Sequence, residues 1–109
     1  MATITRGSHD PIVDKVKTVL EEYEHAHPGS EASLYRQDPL SIRIRIVSDQ
    51  FTGWSRGKRH DYAWDFISSR LTDKEIEDIS ILLLFTPKEL SKSSINSEFD
   101  DPIPSPLQT

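Results

Sequence analysis

VSDQFTGWSRGKRHDYAW, residues 47–64, marks the point where a strand gives way to a helix. Before it, residues 42–46 alternate isoleucine with arginine, which is typical of a strand with one buried face. The turn at residues 51–53 breaks this alternation with a glycine. Ser55 is a suitable helix N-cap, because its hydroxyl can accept a backbone N–H of the first turn. The stretch therefore predicts a strand, a turn and a helix in that order.

The residues before this stretch predict a helix followed by a β-hairpin. Asp10-Pro11 is a helix start, since the carboxylate can cap the first turn and proline fits the first helical position. Apolar side chains then recur at helical spacing until Pro28-Gly29 ends the helix. Residues 32–37 alternate as a strand, and Asp38-Pro39 turns the chain into the isoleucine strand. The register should bury the isoleucines and turn Arg43 and Arg45 outward.

The residues after the stretch predict two short helices separated by a strand. Thr72 and Glu75 have the spacing of a capping box, which indicates a helix through about Asp78. Residues 79–85 form an apolar run too short for a membrane span, which fits a strand covered on both faces. Residues 86–89, Thr-Pro-Lys-Glu, repeat the capping pattern and predict a final helical turn.

The predicted order is α-β-β-α-α-β, an α+β fold in one small domain. A hairpin followed by a two-helix crossover gives a three-stranded mixed sheet, with the last strand parallel to the second and the helices packed on one face. We expect a flexible N-terminal arm over residues 1–9 and the folded domain over 10–90. Residues 91–109 are rich in Ser, Asp and Pro, so we expect a disordered tail.

Composition restricts the possible functions. A chain of 109 residues with 35% hydrophobic content allows one core. It has no cysteine, which excludes a disulfide, a thiolate metal site and a cysteine nucleophile made by this chain alone. The N-terminus has no signal-peptide pattern, so we expect a cytoplasmic protein. The net charge of −5 disfavours nonspecific nucleic-acid binding, yet residues 31–70 hold seven Lys or Arg against five acidic residues.

Several short motifs occur in an order that identifies a resemblance. A strand ends in Val47-Ser48-Asp49, a turn with Phe51 and Gly53 follows, and Arg59-His60 lies in the next helix. The domain ends at Thr86-Pro87-Lys88-Glu89. This series resembles the signature of the BolA-like proteins, in which a Phe-x-Gly turn precedes an Arg-His pair and a Thr-Pro-Glu segment closes the domain.

The resemblance spans roughly residues 10–90 and implies a type II KH-like topology. It also implies a non-enzymatic interaction or regulatory module, with a monothiol glutaredoxin as the protein partner, in iron–sulfur or redox homeostasis. The surface from Phe51 to Trp64 would then meet the partner. The partner-binding residues that follow from it are Phe51, Gly53, Trp54, Arg59 and His60.

His60 has two open interpretations. The resemblance implies that its imidazole is a ligand of a [2Fe–2S] cluster shared with the glutaredoxin. The structural alternative is that His60 hydrogen-bonds a neighbouring loop or the Phe51 turn. The family's second candidate ligand, a His or Cys between the first two strands, has no counterpart in residues 37–41. We therefore expect the chain alone to bind no cluster.

A second functional hypothesis is nucleic-acid binding by a KH-like domain. Exposed basic residues of the isoleucine strand and of the following helix start could contact phosphates. These candidates are Arg43, Arg45, Arg56, Lys58 and Arg59. Charges on a strand also simply discourage edge aggregation. Gly53 and Gly57 are four residues apart and do not form the GxxG clamp of RNA-binding KH domains, which disfavours specific readout. Because the chain is acidic and its basic patch is modest, any binding should be weak.

The sequence contains no recognisable catalytic constellation. Asp61 and Asp65 lie one helical turn apart, but nothing nearby in the sequence completes an acid–base site, and solvated carboxylates are far commoner. His25 and His27 stand at the end of the first helix, where capping or solvation is expected. We predict a non-enzyme that is a monomer or a weak homodimer.

Overall fold

A computed structural model of the chain describes residues 2–6 and 10–90. The predicted tail at 91–109 lies outside these residues. The elements are β1 (Thr3–Arg6), α1 (Pro11–Ala26), β2 (Glu31–Asp38), β3 (Ser41–Val47), a 3-10 turn (Asp49–Phe51), α2 (Arg56–Ser68), α3 (Asp73–Glu77), β4 (Ile79–Phe85) and α4 (Pro87–Leu90). In the described ranges, no helix has the length and hydropathy that crossing a bilayer requires.

The sheet has four strands in the order β1-β2-β3-β4. β2 and β3 form the predicted antiparallel hairpin, and β4 is parallel to β3 as predicted. The prediction of three strands is wrong, because β1 adds a fourth. β1 pairs parallel to β2 and lies in the stretch that was expected to be a flexible arm. β1 is held in place because Ala2 is buried and Ile4 packs against the same core.

The first helix begins where the sequence predicts. The Asp10 carboxylate accepts the backbone N–H groups of Ile12 and Val13, both at 2.9 Å. Arg36 of β2 donates from Nε to the same carboxylate at 2.6 Å and from Nη2 to Asp78 at 2.9 Å. Arg36 therefore links Asp10, at the start of α1, to Asp78, which follows α3.

The core lies on one face of the sheet, which we call the inner face. Ile42, Ile44 and Ile46 are fully buried there, against α1 and against Ala63 and Ile67 of α2. The predicted register is therefore confirmed, with Arg43 and Arg45 on the opposite face, since a slip by one residue would have exchanged the two sets.

β4 departs from the prediction of a strand covered on both faces. It is an edge strand, and its apolar side chains are only half-buried. Leu82 and Leu84 pack against the core, whereas Ile81, Leu83 and Phe85 belong to the other face of the sheet, which we call the outer face. The two long helices, α1 and α2, both pack on the inner face.

Candidate functional site

The turn between β3 and α2 has a rigid internal framework. Ser48 accepts the backbone N–H of Gln50, and the Gln50 side chain accepts the Tyr23 hydroxyl at 2.6 Å. Phe51 is fully buried in the core, and Gly53 turns the chain with a φ of +79°, a conformation that favours glycine. Phe51 and Gly53 thus shape the predicted partner surface, and the Phe51 side chain is not available for contact on it.

Arg59 lies inside the domain, contrary to the expectation that it contacts a partner or nucleic acid. Its Nε donates to the Trp54 carbonyl at 3.1 Å, and Nη1 donates to the Leu84 carbonyl at 3.2 Å. Nη1 and Nη2 also bind the Glu89 carboxylate at 2.6 and 3.2 Å. Because its donors bind the turn, β4 and α4, Arg59 fixes the start of α2 from inside the domain and is not available to a partner.

Glu89 completes this network from the C-terminal side. Its carboxylate accepts the Thr86 backbone N–H at 2.9 Å, and Thr86 Oγ1 accepts the Glu89 N–H at 3.3 Å, which is the predicted capping box of α4. The hydrogen bond from Arg59, supported by the bond from the Thr86 backbone, lowers the pKa of Glu89 to about 2. The carboxylate therefore stays ionised throughout the neutral and mildly acidic range.

The lowered pKa of Glu89 makes part of the domain's stability depend on acid pH. A carboxylate whose folded pKa lies below its unfolded value stabilises the fold above the unfolded pKa of 4.5 and loses that contribution as pH falls toward about 2. We expect Glu89→Gln to reduce the drop in Tm between pH 5 and pH 2. The reduction should be modest, because the Glu89 side chain is 45% exposed and water screens its interaction with Arg59.

Glu77→Gln is the control, because it removes an exposed carboxylate of α3. Thermal melts at several pH values measure both variants. A Glu89→Gln profile that parallels the wild-type profile would contradict the assigned contribution of this carboxylate.

An aromatic and basic patch covers one flank of α2. We call it the Trp54 patch, and it consists of Trp54, Lys58, Tyr62 and His27. Lys58 Nζ lies 4.3 Å from the centre of the half-buried Trp54 ring, and the Trp54 and Tyr62 rings are 5.4 Å apart. Lys58 and Tyr62 are exposed. A tryptophan beside a tyrosine and a cation is a suitable anchor for a protein partner.

His27 joins this patch from the end of α1, which the sequence did not indicate. Its Nδ1 lies 2.9 Å from the Tyr23 carbonyl and its Nε2 lies 2.6 Å from the Tyr62 hydroxyl. A carbonyl only accepts, so Nδ1–H donates to Tyr23 and the Tyr62 O–H donates to Nε2. His27 therefore links α1 to α2. Because the two residues are 35 positions apart, no local sequence pattern predicts this contact.

His60 lies on another flank of α2 and is accessible, with 57% of its side chain exposed. Its ring stacks on Trp64 with centroids 6.1 Å apart, and Nδ1 lies 4.0 Å from an Asp61 oxygen. Within the part of the chain that the structure describes, no three His, Asp or Glu side chains are grouped to hold a metal ion. Among the described residues, His60 is the one imidazole that the resemblance assigns to a cluster, and no second candidate ligand is grouped with it.

The predicted basic surface is divided between two sides of the sheet. Arg43 and Arg45 lie on the outer face of β3, where they are half-buried rather than exposed as expected. Arg56 and Lys58 are exposed at the start of α2, which packs on the inner face. The fold therefore does not bring the candidate phosphate-binding residues into one continuous surface.

Comparisons of the chain with protein-family models, with curated proteins and with solved structures found no match. The geometry of the α2 surface and the motifs of the sequence are therefore the basis for a functional proposal.

Proposed function

We propose that this chain is a non-enzymatic, BolA-like interaction or regulatory module that uses the α2 surface to bind a protein partner. The observation that carries the proposal is the Trp54 patch, in which the half-buried Trp54 ring lies beside the exposed Lys58 and Tyr62. The start of the helix that carries the patch is held in place by the buried Arg59. Such a surface is preorganised, so binding would order few side chains.

The BolA-like part of the proposal is supported by how the two motifs meet. Arg59 of the Arg-His pair binds Glu89 of the Thr-Pro-Lys-Glu segment, 30 residues later. A bidentate arginine–carboxylate pair requires both residues together, which gives a physical reason for the motifs to occur in one domain. The α-β-β-α-α-β order is also consistent with this family, with β1 as an addition.

The chemistry of the surface indicates the character of the partner. Trp54 and Tyr62 would enter apolar depressions of the partner, while Arg56 and Lys58 would meet acidic groups at the rim. By resemblance, we propose a monothiol glutaredoxin as that partner. His60 lies on the neighbouring flank, where a partner that covers α2 could share a metal cluster with it, the thiolate being supplied by the partner.

Nucleic-acid binding is the weaker alternative. Arg56 and Lys58 next to Trp54 could hold a single strand by charge and stacking. The separation of Arg43 and Arg45 onto the outer face and the net charge of −5 both oppose it. We expect a dissociation constant of about 10⁻⁴ M or weaker at physiological salt.

Binding to a purified monothiol glutaredoxin, measured by calorimetry, tests the proposed function. We expect Trp54→Ala to weaken binding by about 30-fold, because central aromatic anchors contribute about 2 kcal/mol or more. His60→Ala should weaken binding of the cluster-loaded complex and change Tm by only a few degrees, since exposed substitutions usually alter stability by less than about 0.5 kcal/mol.

Leu40→Ala is the matched control for these variants. Among the described residues, Leu40 is the most exposed large apolar residue, at 63%, and it lies in the β2–β3 turn, at the end of β3 opposite the α2 start. Its substitution should leave binding unchanged. Equal loss of affinity in Leu40→Ala and Trp54→Ala would contradict the proposed surface, and tight, salt-dependent binding of an oligonucleotide would favour the alternative.

A further inference from the structure

β4 lies at one edge of the sheet, and alternate residues of this strand direct their backbone groups away from β3. The Phe85 carbonyl accepts the Ser48 N–H at 2.9 Å, so Phe85 directs its backbone groups toward β3. Leu82 and Leu84 therefore direct their N–H and C=O groups to the opposite side, which we call the β4 edge. The bond from Arg59 Nη1 to the Leu84 carbonyl is consistent with this assignment.

Residues 81–85 carry none of the features that usually protect the edge of a sheet. They pair regularly with β3, contain neither a charge nor a proline, and within the described part of the chain no strand pairs with them on the β4 edge. The opposite edge of the sheet, β1, has four residues, a register irregularity and Arg6. Short strands, irregularities and charges hinder pairing with another chain. β1 is protected in this way, whereas β4 can accept a further strand.

We propose that a second copy of this chain binds the β4 edge, so that two β4 strands pair antiparallel about a two-fold axis at Leu82. Leu82 would exchange two backbone hydrogen bonds with Leu82 of the second copy, and the two four-stranded sheets would become one continuous sheet. Ile81 would then lie opposite Leu83 of the second copy. The Trp54 patch takes no part in this contact, so the inference goes beyond the proposed function and does not depend on it.

The side chains on the outer face are compatible with this pairing. Within one copy, Arg45 pairs with Leu83, and Arg43 pairs with Ile81. Leu83 and Ile81 of the second copy would therefore form an apolar pair with one arginine on each side of it. Three strand spacings separate the two arginine positions, about 14 Å, which exceeds the Debye length of about 8 Å at physiological salt. Repulsion between the arginines is therefore largely screened.

The composition of β4 favours a second copy as the occupant. Residues 81–85 are Ile, Leu, Leu, Leu and Phe, so this part of the strand has no charge with which to select a different partner. In a two-fold pair the same surface meets itself, and an uncharged apolar strand is its own complement. The interface is small, because a register irregularity precedes residue 81 and Arg59 holds the Leu84 carbonyl. Interfaces below about 1,200 Å² are weak, so we expect a dissociation constant on the order of 10⁻⁴ M.

Sedimentation equilibrium and amide hydrogen exchange of the full chain test the inference. We expect a monomer at about 10 µM and mostly a dimer at about 1 mM. At the higher concentration the Leu82 amide should exchange several-fold more slowly, because pairing with the second copy protects it. The Leu83 amide faces β3 and should show a much smaller change. This difference between neighbouring residues is specific to pairing at the β4 edge.

Leu83→Glu tests the register of the pair. Within one copy the new carboxylate would lie beside Arg45, so the fold should tolerate it. In the dimer it would replace the apolar contact with Ile81 of the second copy and lie diagonally across from the same carboxylate of that copy, so we expect a monomer at every concentration. Leu40→Glu, in the exposed β2–β3 turn, is the matched control and should keep the dimer. Circular dichroism checks that both variants are folded, and if Leu83→Glu is unfolded, the exchange of the wild-type Leu82 and Leu83 amides decides.

Three results would overturn the inference. A wild-type chain that stays monomeric at about 1 mM would show that the β4 edge does not bind a second copy. Equal exchange of the Leu82 amide at both concentrations would show that this edge stays unpaired or is covered within the same copy. A dimer that persists in Leu83→Glu, or that is lost equally in Leu40→Glu, would assign the association to another surface.

Discussion

Ile44→Ala is expected to lower the free energy of unfolding by about 2–5 kcal/mol, the largest effect among the substitutions considered. Ile44 is fully buried at the centre of β3 and pairs with Leu34 on one side and Leu82 on the other. Truncation removes apolar contact and leaves a cavity that two paired strands cannot easily close. In a domain of this size the loss should lower Tm by about 8 °C or more.

Chemical denaturation with an unchanged m-value would verify this loss, and Leu40→Ala in the hairpin turn provides the exposed comparison, within about 0.5 kcal/mol of wild type. A cost below about 1 kcal/mol for Ile44→Ala would mean that β3 is peripheral to the core. That outcome would contradict the sheet order as well as the register.

Arg59→Ala is expected to cost about 2–3 kcal/mol. The substitution leaves the carbonyls of Trp54 and Leu84 without their donor and the Glu89 carboxylate without its cation. A fully buried pair would cost more, but the exposure of Glu89 lets water replace part of the lost interaction. Arg59→Lys should recover little, because an ammonium cannot reproduce the forked donor geometry.

Arg56→Ala on the same helix is the matched control, since Arg56 is exposed and its substitution should change stability by less than about 0.5 kcal/mol. Equilibrium denaturation of the three variants measures the difference. An Arg59→Ala protein as stable as Arg56→Ala would show that the network contributes nothing. A stable Arg59→Ala protein that no longer binds the partner would show that Arg59 contributes to binding directly.

Local patterns predicted the elements that depend on local chemistry. The alternation of isoleucine and arginine in residues 42–46 predicted the strand and its register, because burial of one face tolerates no slip. Asp10 and the Thr86–Glu89 pair predicted helix starts, because a cap lies within three residues of the groups it binds. β1 was not predicted. It has only four residues and forms by pairing with the edge of a sheet, so its sequence shows no alternation long enough to indicate a strand.

The candidate site was predicted less completely, for a different reason. A charged residue in the first turn of a helix is usually solvated, so the inward direction of Arg59 depends on Glu89. The placement of His27 in the Trp54 patch likewise depends on Tyr62. Contacts between residues so distant in the chain follow from the assembled tertiary structure, which composition and spacing do not encode locally.

The position of Glu89 near the end of the described domain has a consequence for synthesis on the ribosome. A nascent chain that stops before residue 89 lacks the carboxylate that accepts from Arg59, although α2 has already been made. β4, which supplies the Leu84 carbonyl, is also among the last elements to emerge. The contacts of Arg59 with Leu84 and Glu89 therefore form only when translation of the described domain is almost complete, so the proposed binding surface is completed late.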